Sequence, residues 1–364
     1  MADNPFTPTF GEVPAYLAGR DAITRALTRA FESEHRRPEL ATIFSGARGT
    51  GKTVLLCALA SLAQKRGWVT VNVTSLPGML DDIEIQTRRC AEHLLGSAGG
   101  TTVRSVGIPQ VVEVQLAHPE ATSNWRSRMT ALIEELNASG TGLLITVDEV
   151  DAGLDEMIQL AAVYQHFVRE GLKVSLLMAG LPHHISSLLN DKTASFLRRA
   201  NYEHLGRIPD FEVRRALQKT IEQGGRSVDE EGIAQAVSAV DGFAFLLQLV
   251  GYYAWDASPD NALVSTGDFE QGIALARDAL EGRVLEATYR ELSTGDILFL
   301  EAMLQDEGDS NISDIAARLG KSPSLTGQHR ARLAAAGVIG QRRRGVVGFD
   351  LPFFREYLES RTGR

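Results

Sequence analysis

Three features of the sequence predict an α/β fold: five short strand candidates separated by helix-like segments, a glycine-rich loop between the first of them and a helix, and a shift to mostly helix patterns after Pro209. The candidates are ATIFS (41–45), VTVNV (69–73), GLLITVDE (142–149), VSLLMAG (174–180) and YEHLGRI (202–208). LLITV and VSLLMA are almost uninterrupted apolar sequence, which suits strands covered on both faces, as in a parallel sheet. With 364 residues the chain exceeds the roughly 250–300 at which single cores stop growing, so more than one core is expected.

The elements follow in order. Residues 1–18, rich in Pro, Thr and Gly, read as a loop into a helix from Asp21, whose side chain can cap the amides of AITRALTRAF. GGTTVRSVGIPQVVEVQLA (99–117) alternates apolar and polar residues about a Gly-Ile-Pro turn and reads as a hairpin between the second and third strands. After Pro209, FEVRRALQKTIEQ, DEEGIAQAVSAV, GFAFLLQLVGYYAW and FEQGIALARDALEGRVLEATYREL predict a small helical domain. From about Leu292, LSTGDILFLEAMLQ, ISDIAARLG and SPSLTGQHRARLAAAGVIG predict three helices, then a hairpin over QRRRGVVGFD and a closing LPFFREYLES. The expected domains are 1–208, 209–291 and 292–364.

Composition narrows the classes. Hydrophobic residues at 44% and charged residues at 23% are ordinary for a folded globular chain. Acidic side chains outnumber basic ones, 46 to 37, which argues against nonspecific nucleic-acid binding by the whole surface but not by one basic face. Cys57 and Cys90 have no partner at metal-ligand spacing and read as buried thiols. MADNPFTPTF lacks a basic start and an apolar core, and no apolar run approaches the ~20 residues of a membrane span, so a cytoplasmic protein without a membrane partner is expected.

The most specific motif is Gly46-Ala47-Arg48-Gly49-Thr50-Gly51-Lys52-Thr53, a complete G-x-x-x-x-G-K-T running into Val54. Its glycines let backbone N–H groups face phosphate oxygens at a helix N-terminus. Lys52 would reach the β- and γ-phosphates of ATP, and Thr53 would ligate magnesium. LLITVDE supplies the acidic complement: Asp148 to hold Mg2+ through water, and Glu149 to orient or deprotonate the attacking water. Adjacent carboxylates at a strand end also occur as helix caps; Asp151 and Asp155 read as helix-start residues.

With the leading segment VPAYLAGRDAITRAL, these residues resemble the AAA+ ATPases, and within them bacterial and archaeal proteins similar to origin-recognition ATPases and to STAND-type signalling ATPases. The resemblance implies a P-loop NTPase parallel-sheet core of AAA+ type, a helical lid and a C-terminal winged helix-turn-helix. It places Gly19 and Arg20 near the adenine; a surface turn is the alternative. It also implies homo-oligomers in which Arg198 or Arg199 serves as an arginine finger; two solvated arginines at a helix C-terminus are the alternative. The chain departs from the family twice. The fourth strand ends in Ala179-Gly180 instead of a polar sensor, and Gly242-Phe243-Ala244 lacks both the second sensor arginine and the Gly-x-Pro of the STAND-like branch. Hydrolysis is therefore expected to be slow. Phe243, Phe245, Leu246, Leu249 and Tyr253 fall at helical core spacing, and His166, His183 and His184 lack metal-site partners.

Between Ile315 and Phe349 stand Arg318, Lys321, Arg330, Arg332, Arg342, Arg343 and Arg344, with no Asp or Glu. ISDIAARLGKSPSLTGQHRARLAAAGVI resembles a helix-turn-helix with Gly320 at the turn and Ser322 or Ser324 as the cap. Its second helix would present Thr326, Gln328, His329, Arg330 and Arg332 to the major groove of double-stranded DNA. The wing would place Arg342, Arg343 and Arg344 on phosphates. The expected function is an ATPase whose nucleotide state repositions a DNA-binding winged helix. A STAND-like ATPase whose winged helix binds protein remains the alternative.

Overall fold

The computed structural model describes residues 3–9, 11–98 and 124–363. The hairpin expected over 99–117 lies outside them. The core runs α1 (Asp21–Glu32), β1 (Ala41–Ser45), α2 (Lys52–Gln64), β2 (Val69–Thr74), α3 (Met79–Ala98), α4 (Trp125–Ala138), β3 (Leu143–Asp148), α5 (Asp155–Arg169), β4 (Val174–Gly180), α6 (Pro182–Asn190) and β5 (Asn201–His204). Its five strands pair in parallel in the order β2-β3-β4-β1-β5. Side chains alternate between faces, as a pleated strand requires. Phe44, Leu144 and Leu177 join α1 and α2 in one cluster; Ile43, Ile145, Leu176 and Met178 join α3, α4 and α5 in the other. The fifth run ends as a strand at His204, not Ile208, although the Leu205 amide still reaches the Ser45 carbonyl at 2.7 Å. Asp21 is the first residue of α1; Arg20 occupies the cap position, and no side chain caps the helix.

The second half begins with α7 (Asp210–Gln223), β6 (Ser227–Val228), α8 (Glu230–Val240), α9 (Ala244–Ala257), β7 (Leu263–Val264) and α10 (Thr266–Leu280). A π-helical turn, Glu281–Leu285, leads into α11 (Glu286–Glu291). The final unit comprises α12 (Thr294–Met303), β8 (Ser310–Asn311), α13 (Ile312–Leu319), α14 (Pro323–Ala335), β9 (Ile339–Arg343), β10 (Val346–Phe349) and α15 (Phe354–Thr362). β8, β10 and β9 form an antiparallel three-stranded sheet. Gly320 ends α13 in the left-handed region, and Ser322, not Ser324, caps α14 through the Leu325 amide.

One apolar cluster, from Leu217 and Leu246 through Phe269 and Leu285 to Phe299, Leu333 and Phe354, runs through both the helical and the final units. The N-terminal segment joins it: Phe6 is buried against Gly251 of α9, and the Thr7 amide donates to Gln248 Oε1 at 3.1 Å. Cys57 and Cys90 are free and only half-buried, because each stands at the border of its helix's apolar stripe. No described helix is long and apolar enough to cross a membrane.

Candidate functional site

The site forms at the carboxyl ends of the strands, where open α/β sheets bind ligands. The loop after β1 turns at Gly49, whose φ is +77°. A Cβ there would lie 2.3 Å from the Phe243 ring, so glycine is required both by conformation and by space. Lys52, the first residue of α2, is buried and donates from Nζ to the carbonyls of Gly46 at 3.0 Å and Ala47 at 2.9 Å. An ammonium has three N–H donors, so one remains for a phosphate oxygen. Burial lowers the Lys52 pKa, while Glu149 and Asp148 pull it back up. Thr50 closes the loop by donating its hydroxyl to the Ala47 carbonyl at 2.9 Å.

Thr53 and Asp148 meet across the sheet: the threonine hydroxyl donates to Asp148 Oδ2 at 2.5 Å. The other carboxylate oxygen accepts the Glu149 amide at 2.9 Å, and the Val150 amide is tied to the Ala179 carbonyl at 2.9 Å. Held on both sides, Glu149 leaves the strand with φ +53° and its side chain exposed. A non-glycine residue in that region costs about 1–3 kcal/mol, a strain that concentrates at functional sites. Arg20 approaches from the leading segment, donating to the carbonyls of Thr50 at 3.2 Å and Gly206 at 3.4 Å. Gly19 packs on Ile208 at the start of the helical half. Val54 follows half-buried in α2.

The end of β4, Ala179-Gly180, carries no polar side chain, and its surroundings are tight. A Cβ on Gly180 would lie 3.1 Å from both Val150 and Ile185. Past it, His184 Nδ1 sits 3.3 Å from Asp151 Oδ1, while the His183 ring lies tilted against His184 with centroids 4.1 Å apart, on the side of α6 that meets α14. Burial and the neighbouring His184 push the His183 pKa down. This pair therefore stands between the β3–α5 loop and the final unit, a placement that its sequence spacing does not signal. Asp155 opens α5, and Asp151 accepts the Gly153 amide at 2.8 Å.

Arg198 and Arg199 lie at the opposite, amino-terminal edge of the sheet. Arg198 Nε donates to the Leu189 carbonyl at 2.8 Å. Arg199 is exposed and lines a cavity of about 440 Å3 with Arg36, Arg169, Tyr164 and Phe196.

The basic stretch of the final unit is less free than its sequence implies. Arg318 pairs with Asp306 at 2.6 Å, which holds that carboxyl at about 2. Arg332 pairs with buried Asp296 at 2.8 Å, and Arg342 with Asp350 at 2.6 Å. All three acids stand outside Ile315–Phe349, so counting charge along that stretch overestimates it. Thr326 and His329 face inward: the Thr326 hydroxyl donates to the Ser322 carbonyl at 3.1 Å, and His329 Nδ1 lies 2.8 Å from Asp296. Their burial removes both from a groove-facing role. Lys321, Gln328, Arg330, Arg343 and Arg344 make no side-chain hydrogen bond or ion pair among the described residues.

Residues 16–178 match the AAA ATPase domain, and residues 282–358 match a domain of unknown function (DUF8462). None of the curated proteins matches the chain. Among solved structures, the fold is similar to the Walker-type ATPase PABY2304 of Pyrococcus abyssi, at 15% identity and a TM-score of 0.66, covering 94% of this chain and 96% of that one. It is also similar to the ADP form of the ORC2 protein of Aeropyrum pernix, at 15% identity and a TM-score of 0.50, covering 98% and 96%.

Proposed function

We propose that this chain, with its AAA+ P-loop ATPase core, binds ATP and ADP with magnesium and uses the nucleotide state to reposition a C-terminal winged helix that contacts double-stranded DNA. The observation that carries the nucleotide half is the joining of Lys52, Thr53, Asp148 and Glu149 at one end of the sheet. The Thr53 hydroxyl and the Asp148 carboxylate are adjacent hard oxygens, a donor set that fits magnesium. Bound there, the ion would neutralise charge on the β- and γ-phosphates. The free N–H of Lys52 binds the phosphate, and the exposed carboxylate of Glu149 orients water and accepts its proton.

We read α12, β8, α13, α14 and the β9–β10 hairpin as the winged helix, and 1–208, 209–291 and 292–364 as the domains. The DNA contacts narrow to Gln328, Arg330, Arg343 and Arg344, with Arg332 and Arg342 already engaged within the chain, and Lys321, unpaired among the described residues, is added to them. Changing Arg330, Arg343 and Arg344 together to alanine is expected to weaken duplex binding. The salt slope of log K should shrink by roughly 0.9 for each phosphate that the variant no longer neutralises. Changing Arg318 to alanine should leave that slope alone. Equal binding by wild type and the triple variant would sink the assignment. The protein-binding alternative draws support from Leu298 and Leu325, exposed apolar side chains on α12 and α14. It predicts little duplex affinity at any salt concentration.

Of the two finger residues Arg199 is the better choice, since Arg198 is tethered through Nε to the Leu189 carbonyl while Arg199 makes no such bond among the described residues and lines the open cavity. In a homo-oligomer, Arg199→Ala lowers turnover at high protein concentration and Arg198→Ala leaves it near wild type. Turnover measured over a protein dilution series decides it: Arg199→Ala matching wild type throughout removes the finger.

A further inference from the structure

Neither the end of β4 nor the start of α9 offers a polar side chain that could report a phosphate to the second half of the chain. The apex of the P-loop makes other contacts. Three consecutive residues touch three elements outside the core. Ala47 lies against the turn after α14: a Cβ on Gly337 would fall 2.3 Å from Ala47 Cβ and 3.0 Å from its Cα. Arg48 Nη1 reaches Glu291 Oε1, at the end of α11, at 3.0 Å. Gly49 sits under the Phe243 ring, and its carbonyl accepts the Phe245 amide at 3.2 Å.

We infer that Gly337, Glu291 and Phe243 are positioning residues of the nucleotide site: they set the P-loop apex and couple phosphate occupancy to the helical and final units in place of the absent sensors. This rests on the reading that nucleotide repositions the final unit. The loop binds phosphate with its backbone N–H groups, so any adjustment of its apex reaches all three contacts together. Gly337 and Ala47 are in close contact with no space between them, and packed contacts of this kind switch between arrangements more readily than they deform. The Arg48–Glu291 pair is exposed and contributes little attraction; it supplies register. By linkage, whatever shifts the final unit when nucleotide binds must also change nucleotide affinity by the same factor.

The test uses the full chain. Amide exchange at residues 335–339 is followed without nucleotide and at saturating ATP–magnesium or ADP, together with both affinities. Gly337→Ala introduces the collision at a φ of +72°, a combination that disfavours the contact by about tenfold or more. It is expected to bind ATP, to lose the nucleotide response at 335–339, and to shift the ratio of ATP to ADP affinity by about fivefold or more. Glu291→Arg, a surface change that spares the core, should diminish the same response. Both single variants retaining the wild-type response and affinity ratio would overturn the inference alone. A wild-type protein that binds ATP with no change at 335–339 would overturn the repositioning reading and this inference with it.

Discussion

Lys52→Ala is expected to abolish nucleotide binding at ordinary concentrations while the protein stays folded. The amine is buried at the first turn of α2, and two of its three donors are spent on the carbonyls of Gly46 and Ala47. Its third donor and its charge are left for a phosphate in the proposed site. Removing a buried, hydrogen-bonded partner of a charged ligand costs about 2–5 kcal/mol, or roughly thirty- to several-thousandfold in affinity. Fold loss is not expected to confuse the result. Burial already lowers the Lys52 pKa, which means that keeping the charge there is itself unfavourable. Calorimetric titration with ATP–magnesium, beside a thermal melt, checks both halves. Binding within about threefold of wild type would remove Lys52 from the site.

Glu149→Gln should do the reverse, keeping ATP bound and slowing turnover. A positioned general base contributes typically 10²–10⁴-fold, so a loss of about that size is expected in kcat with little change in affinity. Glutamine preserves the side chain's shape, and the backbone at φ +53° is held by the Asp148 carboxylate and by the Val150–Ala179 bond, neither of which involves the Glu149 side chain. A modest secondary effect follows from charge. Glu149 is the largest of the acidic influences that favour the protonated Lys52, so its loss weakens support for that amine slightly. Phosphate release under single-turnover conditions separates chemistry from binding. Wild-type-like turnover in the variant would take the role of base away from Glu149.

Much of the nucleotide site was legible because its chemistry is contiguous. Eight consecutive residues define the loop, and strand, loop and helix follow one another without a gap, so local pattern suffices. The central strands β3 and β4 were legible for a related reason: a strand buried on both faces must be apolar throughout, whereas the edge strand β5, NYEH, is half exposed and its end was misplaced. Helix boundaries were readable where a cap is local, as at Gly320, were narrowed to Ser322 or Ser324 at the start of α14, and were misread at Asp21, which follows the cap position.

The charge of the final unit was misjudged for the opposite reason. Asp296, Asp306 and Asp350 lie outside the acid-free stretch, yet folding sets each within 3 Å of an arginine inside it. Coulomb attraction depends on distance in space, and sequence separation carries almost no information about that distance.

Sequence alone therefore determined the parallel α/β core, the P-loop and the carboxylate pair beyond it, since each is written in neighbouring residues whose backbone geometry follows from their own chemistry. Tertiary structure decided which arginines stay free, how tightly the end of β4 is packed, and what touches the loop's apex. Gly337 meets Ala47, and Phe243 covers Gly49, across nearly three hundred and two hundred residues respectively. Such contacts arise only when separate apolar surfaces pack into one core, and packing selects for shape and volume, which a linear pattern does not record.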